Sequence, residues 1–164
     1  MTDNFRPRPT ARSGISGRVA LTGRWEGIGP DRGGGVGEGI NTVQIVVGVA
    51  VVRDGLVLAA YRPGPDGGWE FPGGKVEPGE TEEQAAVREI REELDLEIKV
   101  GASLGPAVDI SAAYRLHVYL ASIVDGEPVL REHAELRWFG AAELDEMDWL
   151  VPDRPFVREL RTRL

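Results

Sequence analysis

The chain has 164 residues, 41% of them apolar and 28% charged, with a formal net charge of −8. That length suits one domain with a single filled core, and the composition is that of a globular protein. The absence of Cys excludes a disulfide framework, thiolate chemistry and a Cys-based zinc site. The acidic balance argues against general affinity for a nucleic-acid backbone. No apolar run has the length of a membrane span, and no leader-like segment opens the chain. A cytoplasmic monomer or homodimer, without polymer or membrane partners, is the expectation.

Residues 1–40 hold ten of the 22 Gly with little hydrophobic periodicity, which predicts a flexible Gly/Arg-rich extension. Within it, 16–21 suggests a short strand and Trp25 an anchor. Gly33-Gly34-Gly35 lacks the Lys-Ser/Thr of a phosphate-cradling P-loop. The folded domain is expected over 41–164. Thr42 to Arg53 is β-branched and almost continuously apolar, as a strand buried on both faces requires. Asp54-Gly55 is a hairpin signal, and Leu56 to Arg62 returns as its partner. A loop over 63–68 leads to a short strand, Trp69-Glu70-Phe71, and a glycine turn at Pro72-Gly73-Gly74.

The next helix is announced by Thr81 as N-cap, with Gln84 three residues on as its capping-box partner, and runs to Leu94. Strands are expected over 97–100, extending towards Ile110, and over 114–124 and 135–139, with a turn at Asp125-Gly126. A short helix over 141–146 and a final one over 153–163 complete an α+β reading with a mixed sheet.

The first helix carries two faces. At about 100° per residue, Ala86, Val87, Ile90 and Leu94 share roughly a third of the circumference and form a stripe for the core. Glu89, Glu92 and Glu93 stand at i, i+3 and i+4, so their carboxylates adjoin. Like charges so placed cost stability unless a cation lies among them, and hard oxygen donors suit Mg²⁺ or Mn²⁺. Arg88, one turn before Glu92, can orient and partly neutralise it. The competing reading is a solvated acidic face.

From Gly74 to Leu96 the sequence resembles the Nudix box: Gly, five residues, Glu, seven residues, Arg-Glu, an aliphatic, any residue, Glu-Glu, any residue, Gly, an aliphatic. Gly74, Glu80, Arg88, Glu89, Ile90, Glu92, Glu93 and Leu96 fall on this pattern. Asp95 stands where the pattern has Gly, and Asp is among the few other residues that tolerate the positive-φ exit such a position serves. The resemblance implies the family's α/β/α sandwich. It also implies metal ligation by Glu89, Glu92 and Glu93 with the Gly73 carbonyl, and a supporting role for Glu80, which alternatively serves the helix dipole.

The resemblance further implies that Arg62 and Lys75 meet phosphate, where the alternative is a solvent-facing charge. It puts an extra carboxylate, Glu132, on the loop before the last strand, completing the metal site or acting as base. Glu135 is the substitute should the register differ, and His133 reads as a loop residue. The tail around Trp149-Leu150-Val151-Pro152-Asp153 resembles the ending of MutT-type and CTP-type pyrophosphohydrolases, in which Asp153 would meet the base edge. Otherwise Asp153 caps the final helix. Trp69, Trp138 and Phe139 are candidates to stack a base or to fill the core.

The function implied is metal-dependent cleavage of an oxidised, modified or CTP-like nucleoside triphosphate to monophosphate and pyrophosphate. Glu89 is the first candidate for general base and Glu132 the second. A dinucleoside polyphosphate hydrolase is the enzymatic alternative, because its subfamilies show a Tyr beyond the box and Tyr114 falls in that window. A non-catalytic nucleotide sensor is the other alternative, whose usual mark is loss of the Glu triplet.

Overall fold

The structure, a computed structural model, describes residues 42–164. The N-terminal extension, with the strand at 16–21, Trp25 and the glycine run, lies outside the described residues. Among the described residues eight strands form one sheet: β1 (Gln44–Arg53), β2 (Leu56–Arg62), β3 (Gly68–Glu70), β4 (Gly73–Lys75), β5 (Glu97–Ser103), β6 (Val108–Asp109), β7 (Tyr114–Asp125) and β8 (Glu135–Gly140). Two helices, α1 (Glu82–Leu94) and α2 (Arg154–Leu160), accompany them, with a 3₁₀ turn at Leu144–Glu146. The order β3-β2-β1-β7-β5 is the main path; β4 pairs with β1, β6 with β7 and β8 with β2. Only β1 and β7 run parallel, from Gln44↔Tyr114 to Val52↔Ser122, so the sheet is mixed.

β1 explains its own composition. Val46 and Ala50 face a core cluster with Phe71, Trp149, Phe156, Val157 and Leu160, while Val47, Val49 and Val51 face Ala85, Ala86, Ile90 and Leu94 of α1. Successive side chains enter opposite cores, so the strand has no solvent face on which to be polar. The result is an α/β/α sandwich with β1 at its centre.

The start and stop of α1 are as the sequence predicts. Thr81 accepts from the Gln84 N–H and the Gln84 side chain accepts from the Thr81 N–H. Asp95 ends the helix at φ 60°, ψ 32°, the left-handed exit for which the Nudix pattern uses Gly.

Three expectations are corrected. Gly73 and Gly74 form no turn; they open strand β4, antiparallel to Gly48 and Val47 of β1. The strand after α1 stops at Ser103, and the chain rejoins the sheet only at β6. The short helix expected from 141 is confined to one 3₁₀ turn.

Candidate active site

Two features adjoin the β3–β4 segment: an acidic cluster on α1 and an apolar cavity bounded in part by Val46, Gly48 and Leu116. β4 creates the first by proximity. A Cβ on Gly74 would lie 2.4 Å from the Glu89 carboxyl group, and one on Gly73 would lie 2.0 Å from the Val47 carbonyl oxygen. Only residues without side chains let β1, β4 and α1 approach so closely.

The predicted carboxylate patch is divided by burial. Glu89 and Glu93 are buried, at 2% and 5% exposure, while Glu92 stays exposed. Arg88 holds the cluster together. It donates to Glu80 through Nε and Nη2, both at 2.8 Å, to Glu89 at 2.7 Å and to the Lys75 carbonyl at 3.0 Å. Glu92, its expected partner, is 3.6 Å away and takes the weaker share. The Arg88 guanidinium holds Glu80 below the usual carboxylate range, and the two acids in turn raise Arg88.

Glu93 accepts from the Gly73 N–H at 3.2 Å. Burial pushes its carboxyl group up to about 9, with the charges of Glu89, Glu132 and Glu70 adding to the shift. Several carboxylates thus crowd one buried group, an arrangement that a divalent cation relieves. Among the described residues no three His, Asp or Glu side chains are gathered closely enough to cage an ion. The contacts account for this, since Glu89 is turned to Arg88 and Glu93 to the Gly73 amide. The donor set nevertheless consists of hard oxygens and fits Mg²⁺ or Mn²⁺.

The cavity measures about 380 Å³ and is floored by Val46, Gly48 and Leu116, with Phe71, Trp149 and Leu150 on its sides. Its charged lining includes Arg62, Glu70 and Asp153, with Asp66, Asp148 and Arg154. Asp153 occupies the residue before α2 but makes no side-chain cap; its carboxylate accepts from the Phe71 N–H at 3.1 Å. Burial pushes this acid up to about 8 despite that bond. The tail reaches this position because the Trp69 N–H donates to the Asp148 carbonyl and the Leu150 N–H to the Trp69 carbonyl, a parallel bridge that pins 148–150 to β3.

Arg62 lines the cavity, but its guanidinium forks onto Glu70 through Nε and Nη2, so its charge is compensated rather than bare. Glu70 also meets His133 Nε2 at 3.2 Å, while His133 Nδ1 is buried without a hydrogen-bond partner. Glu132, the residue before His133, is exposed, and Glu135 is exposed at the start of β8.

Trp69, read in the sequence as a base-stacking or core residue, sits in the core. It is buried between Tyr61 and Phe139, ring centroids 5.3 and 4.9 Å away, and does not line the cavity. Phe139 is likewise core, and Trp138 lies under the Arg53 guanidinium at 4.5 Å. Sequence reasoning missed Glu70. Its signal was a lone acid between two aromatics in a strand, a charge that burial allows only when paired.

Comparison with known proteins agrees with this architecture. Residues 42–160 match the NUDIX domain. A putative 8-oxo-dGTP diphosphatase 2 of Mycobacterium tuberculosis is 42% identical over 127 residues, covering 74% of this chain and 90% of that protein. A CTP pyrophosphohydrolase of Escherichia coli is 39% identical over 117 residues, covering 68% and 87%. The solution structure of the E. coli ORF135 protein superposes with a TM-score of 0.63 at 33% identity, covering 73% of this chain and 89% of that one. With the box residues running from Gly74 on β4 through α1 to Leu96, and the domain match spanning nearly every described residue, the chain belongs to the Nudix family of hydrolases.

Proposed function

We propose that this Nudix domain hydrolyses a nucleoside triphosphate, oxidised, modified or CTP-like, to the monophosphate and pyrophosphate. The observation that carries the reading is the pairing of a crowded carboxylate cluster with a base-sized cavity across the β3–β4 segment. Names of the relatives, a diphosphatase for 8-oxo-dGTP and a pyrophosphohydrolase for CTP, support the same chemistry.

Glu89, Glu92, Glu93 and the Gly73 carbonyl would hold Mg²⁺, with Mn²⁺ as substitute. Such an ion, when bound, neutralises phosphate charge and lowers the pKa of water. Glu89 is the first choice to accept the proton of the attacking water, with Glu132 second. Arg88 keeps Glu89 oriented and Glu80 fixed against it. Lys75 offers its ammonium to phosphate. Arg62 holds Glu70 in the cavity wall, where Glu70 and Asp153 can accept from an exocyclic amine; the protonated Asp153 can instead donate to a carbonyl.

A hydrolysis screen over natural, oxidised and methylated nucleotides with Mg²⁺ tests this directly. Glu89→Gln is expected to lower kcat about 10²- to 10⁴-fold with the fold intact. Full activity in that variant would sink the assignment. Release of neither phosphate nor pyrophosphate from any nucleotide would instead make the domain a sensor. Preference for dinucleoside polyphosphates over triphosphates would move it to that class.

A further inference from the structure

Lys75 is fixed in the backbone from two sides. Its carbonyl accepts from Arg88 Nη2 at 3.0 Å, and the next carbonyl, that of Val76, accepts from Gln44 Nε2 at 2.9 Å. What remains free is a flexible four-carbon stem. Ladder pairs share a face of a sheet, so Lys75, its partner Val46, and across β1 Leu116 and Tyr114 project to the same side. Val46 and Leu116 floor the cavity, and Lys75 therefore stands at its margin.

There the ammonium meets Tyr114. Nζ lies 4.9 Å from the ring centroid and 3.4 Å from the hydroxyl oxygen. Among the described residues no carboxylate pairs with it, whereas Arg62, Arg88 and Arg154 each hold an acid. An aromatic face holds a cation without cancelling its charge. Tyr114 is itself held independently of Lys75. Its carbonyl accepts from Ile110 at 2.9 Å and Ser111 at 3.2 Å, closing the turn between β6 and β7, and its side chain packs against the cavity-side core.

We infer that Tyr114 is a positioning residue for Lys75, holding the uncompensated ammonium at the cavity margin so that it meets the polyphosphate of the substrate. The inference rests on the phosphate role proposed above for Lys75. It also gives Tyr114 a task within triphosphate hydrolysis, without a second nucleoside. Removing the ring frees the lysine stem and weakens ground-state binding, while leaving the chemistry on α1 untouched.

The test is a double-mutant cycle with Mg²⁺-supported hydrolysis of the best nucleoside triphosphate and inhibition by inorganic tripolyphosphate. Tyr114→Leu is expected to raise KM and the tripolyphosphate inhibition constant about three- to tenfold, with kcat within about twofold. Inhibition by the phosphate-free nucleoside should not move. Tyr114→Phe, which keeps the ring, should recover most of the loss. In a Lys75→Met background, Tyr114→Leu should change binding by less than about twofold, because nothing is left to position. Equal penalties in both backgrounds, or equal weakening of nucleoside and tripolyphosphate, would overturn the inference and leave the role of Lys75 standing. Unchanged tripolyphosphate binding in Lys75→Met alone would overturn the phosphate role and the inference together.

Discussion

Asp153 shows how much one side chain can be asked to do. Its carboxylate is buried, accepts from Phe71 and faces Glu70 and Arg62, and burial raises it to about 8. Asp153→Asn keeps an oxygen for the Phe71 N–H and removes an acid whose ionised form is costly to bury. The variant is expected to melt at the same temperature or higher, while the ranking of nucleotides in the hydrolysis screen changes. Asp153→Ala leaves the buried N–H unpaired and should lose about 1–3 kcal/mol in denaturant titration. Equal stability of the alanine variant and the parent would show that the Phe71 bond is not what fixes the tail. The sequence offered this residue two roles, helix cap or base contact. It could not choose, because the deciding partner is 82 positions away.

At the scale of elements, the two glycines of β4 separate stability from catalysis. Gly74→Ala would drive its Cβ into the Glu89 carboxyl group, the far end of a flexible side chain, which can swing aside. Activity is expected to fall about a hundredfold or more, because Glu89, the proposed proton acceptor, is displaced, with only a modest loss of melting temperature. Gly73→Ala would meet the Val47 carbonyl, which belongs to the backbone of β1 and cannot yield without breaking the β1–β4 ladder. That variant should unfold far more easily, and the reverse ranking of the two would contradict this assignment. α1 was legible from its residues because its signals are local: Thr81, Gln84 and Asp95 act within a turn of the helix ends. β4 was not, because Gly-Gly-Lys has no strand propensity and is extended only through pairing with a strand more than twenty residues earlier. The Arg62–Glu70 pair and the burial of Trp69 were hidden for the same reason, since both follow from β2–β3 pairing.

For the molecule as a whole, buried acids set a direction for stability against pH. Glu93 is raised to about 9 and Asp153 to about 8, so the folded state holds protons that the unfolded chain releases from about pH 4 upward. Their contribution is therefore complete below the ordinary carboxylate range and is lost as pH rises towards 8 and 9. Glu80, lowered by Arg88, acts in the opposite sense and only at the acid end. In a chelator the protein should melt at a higher temperature near pH 5 than at pH 8. A divalent cation held, as proposed, by Glu93 would need that group deprotonated, so its apparent affinity should rise about tenfold per pH unit below that group's pKa. The increase in melting temperature produced by a fixed, subsaturating Mg²⁺ concentration should accordingly grow from pH 6 to pH 8. Glu93→Gln should flatten both the chelator slope and the Mg²⁺ response, whereas Asp153→Asn should flatten only the first. A Mg²⁺ increment independent of pH would place the cation away from Glu93, and the crowding of Glu89, Glu132 and Glu70 around that carboxyl group would then have to be relieved by protonation alone.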